Sequence, residues 1–215
     1  MFINEIKRKF NINEPIFTEE LLELFSKYSR PYVFRIINEL EKSGELVRYT
    51  KGVYFIPKKT FFGLSTITAD SVVEKRYLKE LNNVYGIYSG LKLLNLFSIT
   101  TQVPNVVEIV TNNETMRCRE IEINGRKFIL RKSRFEIDKN NADMYMLLQV
   151  FNDLDTKTKL DDFAQRRLTS FIKEKRINQL QLLNLAMKFP AKTMKNLIGS
   201  GVLNQTFLGK VNERK

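Results

Sequence analysis

The first 60 residues carry three helical hydrophobic patterns in succession. In the first pattern, from about residue 2 to residue 10, apolar side chains recur at helical spacing. The second follows Thr18, a favourable N-cap, and places Glu19 and Glu20 where acidic side chains stabilise the positive end of the helix dipole. The third begins at Pro31, because proline is preshaped for the first helical turn, and it ends at Gly44.

The third predicted helix has one apolar face, and a hairpin pattern follows it. Its inward stripe has the i, i+3, i+4, i+7 spacing and consists of Val33, Ile36, Ile37 and Leu40. The residues left on other faces are Tyr32, Arg35, Asn38 and Glu39. Two β-rich runs then follow at 46–49 and 53–56, and Thr50-Lys51-Gly52 joins them, which predicts a hairpin with a three-residue loop.

The pattern beyond residue 63 predicts a mixture of helices and strands. Residues 106–110 form an apolar run typical of a buried strand, and Asn124-Gly125 between 120–123 and 127–130 is the strongest hairpin signal in the chain. The predicted helices lie at about 69–82, 89–97, 140–152, 158–174, 178–188 and 190–198. The predicted fold class is therefore α+β, and the C-terminal part is helical.

A domain boundary is predicted in the stretch from Pro57 to Gly63. There the strand pattern stops, and polar residues precede a new helical pattern. The chain is accordingly predicted to consist of a domain at 1–60 and a second domain at 61–215.

Composition excludes several kinds of chemistry and indicates a polyanionic partner. The chain has no histidine and one cysteine, Cys118, so it offers no imidazole base and no disulfide within the chain. Its formal charge of +12 divides into +3 for residues 1–63 (11 bases, 8 acids), 0 for 64–155 (12 and 12) and +9 for 156–215 (13 and 4). Such an excess favours nucleic acid as a partner over an anionic membrane.

The N-terminus lacks the apolar run of a signal peptide, which predicts a cytoplasmic protein with no membrane partner.

Three helices followed by a hairpin are the order of a winged helix-turn-helix, which presents its third helix to the major groove of DNA. Arg35 has the chemistry to reach guanine edges or phosphate, and Asn38 that to pair with adenine. The other predicted DNA-binding residues are phosphate contacts, namely Arg30 and Tyr32 on the helix and Arg48 and Lys51 on the hairpin. The competing interpretation is that these are solvated residues of a small domain that contacts an acidic protein partner without DNA.

The basic C-terminal part permits two interpretations. Basic side chains recur along the helix predicted at 158–174 and just after it, at Lys157, Lys159, Arg166, Arg167, Lys173, Lys175 and Arg176. Its apolar positions are Leu160, Phe163, Leu168, Phe171 and Ile172. The charged face is either simply solvated or a second surface for phosphates or an acidic partner.

No enzyme motif is present, so we predict no catalytic residues, no cofactor, no metal and no enzymatic activity. Ser89 lies between glycines at the wrong spacing for a nucleophile elbow, and we interpret it as a helix cap. Asp153 and Asp155 lack the upstream Gly-Ser motif of nucleotidyltransferases, so they are interpreted, with Asp161 and Asp162, as turn and N-cap residues. A metal-dependent nuclease built on the carboxylates of 153–162 is the remaining enzymatic alternative. Cys118 is predicted to be a structural thiol.

Two parts of the chain resemble AbiEi-type antitoxins, the regulators of type IV (abortive infection) toxin–antitoxin systems, in their shorter subgroup. The head resembles their winged-helix domain through Phe17-Thr18-Glu19-Glu20, through the run from Asn38 to Arg48, and through Lys51-Gly52-Val53-Tyr54-Phe55-Ile56-Pro57. The middle is similar to their second domain in Tyr88-Ser89-Gly90-Leu91, Leu94-Asn95-Leu96, Thr100-Thr101-Gln102-Val103-Pro104 and Glu108-Ile109-Val110-Thr111-Asn112-Asn113.

This resemblance implies a repressor and antitoxin in one chain. The head would bind inverted repeats of double-stranded DNA in its own promoter and so repress its operon. The second domain would counter a nucleotidyltransferase-like toxin encoded beside it, and in such a pair the toxin is the enzyme. The toxin is therefore implied as a partner in function, without a tight physical complex being required.

Overall fold

The computed structural model of the protein describes residues 2–155 and 160–203, which leaves Lys157 and Lys159 of the predicted basic helix outside the described residues. The described residues form a mixed α+β structure, so the predicted class is confirmed at that level. The chain divides into two compact units, Met1–Lys75 and Arg76–Lys215. This division follows residue 75, whereas the sequence pattern places the boundary after residue 60.

The first unit consists of helices around a small antiparallel sheet. In chain order it contains α1 (Phe2–Lys9), β1 (Ile16–Phe17), α2 (Thr18–Leu24), α3 (Arg30–Lys42), β2 (Val47–Thr50), β3 (Val53–Phe55), β4 (Lys59–Thr60), β5 (Gly63–Leu64) and α4 (Ala69–Val73). The three-stranded sheet has the order β1-β3-β2, and β4 pairs with β5 as a separate ribbon. The apolar stripes of α1, α2 and α3 meet in one core that includes Ile6, Phe25 and Ile37.

Two local predictions in this unit are wrong in detail. Phe17, and not Thr18, occupies the N-cap position of α2, because the Thr18 backbone N–H continues the sheet and donates to the carbonyl of Gly52 at 3.0 Å. The Phe17 N–H donates instead to the Glu20 carboxylate at 2.7 Å. At the hairpin, Thr50 pairs with Val53, so the loop has two residues, Lys51 and Gly52, and the register shift falls within β2.

A buried ionic cluster joins the segment after the hairpin to the first unit. The Lys75 side chain is 9% exposed, and its ammonium donates to Glu14 at 3.0 Å, to Glu20 at 2.8 Å and to the Pro15 carbonyl at 2.9 Å. Burial lowers the pKa of Lys75, but the hydrogen bonds that its ammonium donates to Glu20 and Glu14 more than offset this effect, and the pKa is raised. Because Glu14 and Glu20 flank β1, this cluster explains why residues beyond 60 pack with the head.

The second unit is a four-stranded sheet with helices. A π-helical turn (Glu74–Leu78) spans the division and is followed by β6 (Lys79–Glu80), β7 (Asn83–Val84), β8 (Gly86–Ser89), α5 (Gly90–Leu96), β9 (Val107–Thr111), β10 (Cys118–Ile123), β11 (Arg126–Lys132), α6 (Ala142–Asp153), α7 (Asp162–Glu174), α8 (Gln179–Ala186) and α9 (Ala191–Gly199). The sheet order is β10-β11-β9-β8, in which β9 and β11 are parallel and the other pairs antiparallel.

Most predicted elements of this unit are confirmed. The strand near 106–110, the hairpin at Asn124-Gly125 and the last four helices are all present, within a few residues of their predicted bounds. Both turn residues have positive φ, 46° and 78°, as a two-residue turn of this hand requires. The helix predicted at 69–82 ends early, because α4 passes into the π-helical turn at Glu74 and the chain enters β6 at Lys79.

Asp153 has a different role from the predicted one. Ser89 lies at the N-cap position of α5, but its hydroxyl donates to Asp153 at 3.0 Å, and the Gly90 N–H donates to the same carboxylate oxygen at 2.8 Å. Buried Gln149 donates to Asp153 at 2.7 Å and to the Ser89 hydroxyl at 3.1 Å. Asp153 at the end of α6 therefore caps α5, whereas Asp161 is the N-cap of α7, as predicted.

The interpretation of Cys118 as a structural thiol is wrong. Cys118 is exposed, and it begins β10, the outer strand of the four-stranded sheet. It lies opposite Arg131 in the pairing of β10 with β11. A thiol in this position packs against no core.

Candidate nucleic-acid interface

Helix α3 separates an apolar face from a polar face. Val33, Ile36, Ile37 and Leu40 are buried, as the spacing predicts. Arg35 and Asn38 project from the opposite side of the helix and are exposed. Ser29 occupies the N-cap position and Pro31 lies in the first turn, so the sequence fixes where this face begins.

The Arg35 side chain is exposed, and neighbouring side chains hold its guanidinium in place. Its side chain is 66% exposed, its guanidinium carbon lies 4.6 Å from the centre of the Tyr32 ring, and its Nε is 3.8 Å from a Glu39 carboxylate oxygen. An exposed i, i+4 ion pair of this kind stabilises a helix by only about 0.3–0.5 kcal/mol. The guanidinium can therefore exchange Glu39 for a phosphate or a base edge at little cost.

Tyr32 and Arg30 are held by aromatic contacts. The half-buried ring of Tyr32 lies 5.1 Å from the Tyr28 ring and 6.3 Å from the Phe2 ring, centre to centre. The Arg30 guanidinium lies 5.8 Å from the centre of the Phe34 ring. Tyr32 thus serves as a platform under Arg35, and Arg30 stays exposed near the N-terminus of α3.

Arg48 and Lys51 are exposed on the β2–β3 hairpin. The tip of the hairpin is fixed to the start of α2, because the Thr18 amide and hydroxyl both donate to Gly52, at 3.0 and 3.3 Å. Within the described residues, no hydrogen bond, ion pair or ring contact joins Arg48 or Lys51 to the polar face of α3. The structure therefore brings Tyr32 and Arg35 together, and it leaves the hairpin pair as a separate group.

Sequence reasoning missed Lys42. It is exposed in the last turn of α3, one turn beyond Asn38 on the same face. The signal was available, because Arg35, Asn38 and Lys42 follow the i, i+3, i+7 spacing. We define the polar face of α3 as Arg35, Asn38 and Lys42, with Glu39 at its edge.

Two exposed aromatic side chains were also missed. Phe61 and Phe62 lie at the turn of the β4–β5 ribbon and are 98% and 97% exposed, with ring centres 5.5 Å apart. Lys58 and Lys59 immediately precede this turn. Aromatic side chains beside lysines suit contacts with nucleic acid bases, but the sequence pattern indicated only a domain boundary here.

The first unit has a small net charge, and the polar face of α3 carries hydrogen-bonding groups. Residues 1–75 hold 12 basic and 10 acidic side chains, a net charge of +2, so the electrostatic potential of this unit depends on where the cations lie. In the described part of the chain, no three cysteine or acidic side chains are grouped so that they could hold a metal ion. A guanidinium, an amide and an ammonium on one helical face offer hydrogen bonds to base edges and phosphates.

The basic face of α7 is exposed as well. Arg166, Arg167 and Lys173 point to solvent, and Lys175 lies 3.8 Å from Asp143. Leu168 and Ile172 are buried as predicted, whereas Phe163 is 59% exposed. Among the helices that the structure describes, none combines the length and the hydropathy that a membrane span requires.

Comparison with known proteins places the chain in a family without assigning a function. No curated protein matches it. A family model, described as a family of unknown function (DUF6088), matches residues 3–180 and so includes α3, the hairpin and the whole four-stranded sheet. The chain therefore belongs to the DUF6088 family.

Proposed function

We propose that the first unit is a winged helix-turn-helix and that the protein is a sequence-specific DNA-binding repressor. Three helices precede the hairpin, and in the sheet order β1-β3-β2 the second hairpin strand, β3, pairs with the strand that enters α2. The observation that carries the proposal is the polar face of α3, where Arg35 and Asn38 point away from the core. In this arrangement α3 lies in the major groove, and Arg30, Arg48 and Lys51 contact phosphates.

The same proposal makes the protein the antitoxin of a type IV toxin–antitoxin system in the cytoplasm. It is supported by the resemblance of the head and of residues 88–113 to AbiEi-type antitoxins. The protein represses its own operon through inverted repeats and counters a nucleotidyltransferase-like toxin, with no enzymatic activity of its own. The antitoxin half is tested by expressing the product of the adjacent open reading frame with and without this chain. Growth arrest that this chain relieves supports the proposal.

Arg35→Ala should weaken binding to the promoter by about 1–3 kcal/mol, or roughly 5- to 150-fold, because a guanine loses its bidentate donor. Preference at one base position should be relaxed at the same time. Fluorescence anisotropy with the duplex upstream of the gene measures both effects. Arg8→Ala on α1 is the matched control, since it removes the same charge from an exposed helix position.

Equal affinity of the wild-type chain for promoter and random duplexes at moderate salt would reject specific repression. Stable co-purification with the neighbouring gene product, without retardation of promoter DNA, would support the protein-interaction alternative. If Arg8→Ala lowered the affinity for promoter DNA as much as Arg35→Ala does, only net charge would matter.

Lys51→Ala should weaken binding to the promoter duplex and to random duplexes by the same factor. An ammonium at a phosphate carries no sequence information, and its removal should reduce the slope of log K against log salt by about one unit. A titration series from low to moderate salt measures this slope. A loss confined to the promoter sequence, with an unchanged slope, would instead place Lys51 at a base edge.

A further inference from the structure

The second unit contains an open cavity of about 470 Å³. Its walls come from β8 and the start of α5, from β9 and β11 with the residues that flank β10 and β11, and from α6 and α9. Cavities of about 300–1,000 Å³ are those in which proteins bind small molecules. The walls here are mainly charged and polar, so an apolar ligand is a poor match.

Five cations of the described residues line this cavity: Arg117, Arg131, Lys132, Arg134 and Lys192. The two acidic side chains in the same described lining, Glu108 and Asp153, leave it a net charge of +3 (five minus two). Like charges that converge on one concavity repel one another, and a bound anion relieves that repulsion. The cation set comes from separate elements of the chain, so the fold itself assembles it.

Both lining carboxylates already have partners. The Glu108 carboxylate accepts from the Arg131 Nε at 2.9 Å. Asp153 accepts from Ser89, Gly90 and Gln149 at 2.7–3.0 Å, so hydrogen-bond donors rather than a cation stabilise its charge. Of the two carboxylates, only Glu108 forms an ion pair with a lining cation, and with both counted the lining keeps its excess of three positive charges.

Four of the five cations are exposed and have no ion pair with a carboxylate of the described residues: Arg117, Lys132, Arg134 and Lys192. Arg134 is oriented by the Phe189 ring, whose centre lies 5.3 Å from its guanidinium carbon. Two guanidinium groups and two ammonium groups can bind phosphate oxygens both as forks and as point charges.

We propose that this cavity binds a phosphorylated small molecule of nucleotide size that carries two or more phosphate groups. A single terminal phosphate carries roughly −1.5 to −2 charges at pH 7, so a lining charge of +3 is better matched by two phosphates. The volume leaves room for a nucleoside beside them. This site lies in the second unit and is separate from the polar face of α3 in the first.

The test is isothermal titration of the full-length chain with four probes: inorganic phosphate, pyrophosphate, ADP and adenosine. Saturable binding of pyrophosphate and ADP, with weaker binding of phosphate and none of adenosine, is the expected result. If ADP binds more tightly than pyrophosphate, the nucleoside is recognised as well and the ligand is a nucleotide. If the two affinities are equal, the site recognises only the diphosphate group. No saturable binding of pyrophosphate or ADP at millimolar concentration overturns the proposal.

Charge reversals on one helix locate the site. Lys192→Glu should weaken pyrophosphate binding at least about tenfold, since hydrogen bonds to charged groups are worth more than one decade in affinity. Lys195→Glu is the matched control, because Lys195 is exposed on α9 but does not line the cavity. Lys132→Gln should also weaken binding and provides a second variant should Lys192→Glu unfold the chain.

The controls separate this proposal from DNA binding. Arg35→Ala should leave pyrophosphate affinity unchanged, and Lys192→Glu should leave promoter preference unchanged. A loss of pyrophosphate binding in Arg35→Ala, or an equal loss in Lys195→Glu and Lys192→Glu, would overturn the cavity as the anion site. Binding of duplex DNA that Lys192→Glu weakens, without any binding of the small anions, would overturn it too.

Discussion

Lys75→Met should lower the free energy of unfolding by about 3–5 kcal/mol, which is the usual cost of removing one partner from a buried ionic cluster. The Lys75 ammonium is the shared partner of the Glu14 and Glu20 carboxylates. Methionine has nearly the volume of the lysine stem, so packing changes little. What remains is two carboxylates that face each other across a partly buried site without a cation.

Urea unfolding followed by far-ultraviolet circular dichroism measures this loss. Lys58→Met is the control, since Lys58 is exposed in the same unit, and it should change stability by no more than about 0.5 kcal/mol. Adding Glu14→Gln and Glu20→Gln to Lys75→Met should restore part of the stability. Each glutamine keeps a side-chain oxygen that can accept a hydrogen bond, but it lacks the negative charge of glutamate. A Lys75→Met variant as stable as Lys58→Met would show that the cluster contributes nothing to stability.

Gly86→Ala should cost about 3 kcal/mol or more, at the upper end of the range for overpacked sites. Gly86 begins β8, and a β-carbon there would collide with the backbone carbonyl oxygen of Tyr77 and lie 2.9 Å from that of Val110. Both obstacles are main-chain atoms held in place by the sheet and the π-helical turn. A change of side-chain rotamer therefore cannot relieve the clash.

The matched control is Gly199→Ala in α9, where a β-carbon would meet no atom within 4 Å. There alanine should be neutral or stabilising by up to about 1 kcal/mol, because it reduces the entropy of the unfolded chain. Thermal unfolding of both variants makes the comparison. Equal melting temperatures for the two would mean that the main chain around Gly86 yields more easily than its packing indicates.

The sequence pattern predicted the elements that depend on residues close together in the chain. The stripe Val33, Ile36, Ile37 and Leu40 fixed α3 and its polar face, and Asn124-Gly125 fixed the β10–β11 hairpin. Both signals lie within about ten residues of chain, where spacing and turn chemistry determine structure. The polar face was therefore predictable apart from Lys42.

Features formed by distant residues were not predictable in this way. Lys75 meets Glu14 across 61 positions of sequence, and Asp153 meets Gly90 across 63. Nothing near Asp153 distinguishes a residue that caps another helix from one that caps its own. The parallel pairing of β9 with β11, which brings Glu108 and Arg131 together, likewise depends on the packing of the whole sheet. The cavity cations could not be grouped by spacing for the same reason.

The exposed thiol of Cys118 offers a spectroscopic handle. The sequence has no other cysteine, so a maleimide dye attaches at one defined place without mutagenesis. That place is next to Arg117 and directly across the β10–β11 ladder from Arg131, two of the cations that line the cavity. A fluorophore there lies at the rim of the cavity, where its emission can follow ligand titrations that release too little heat for calorimetry.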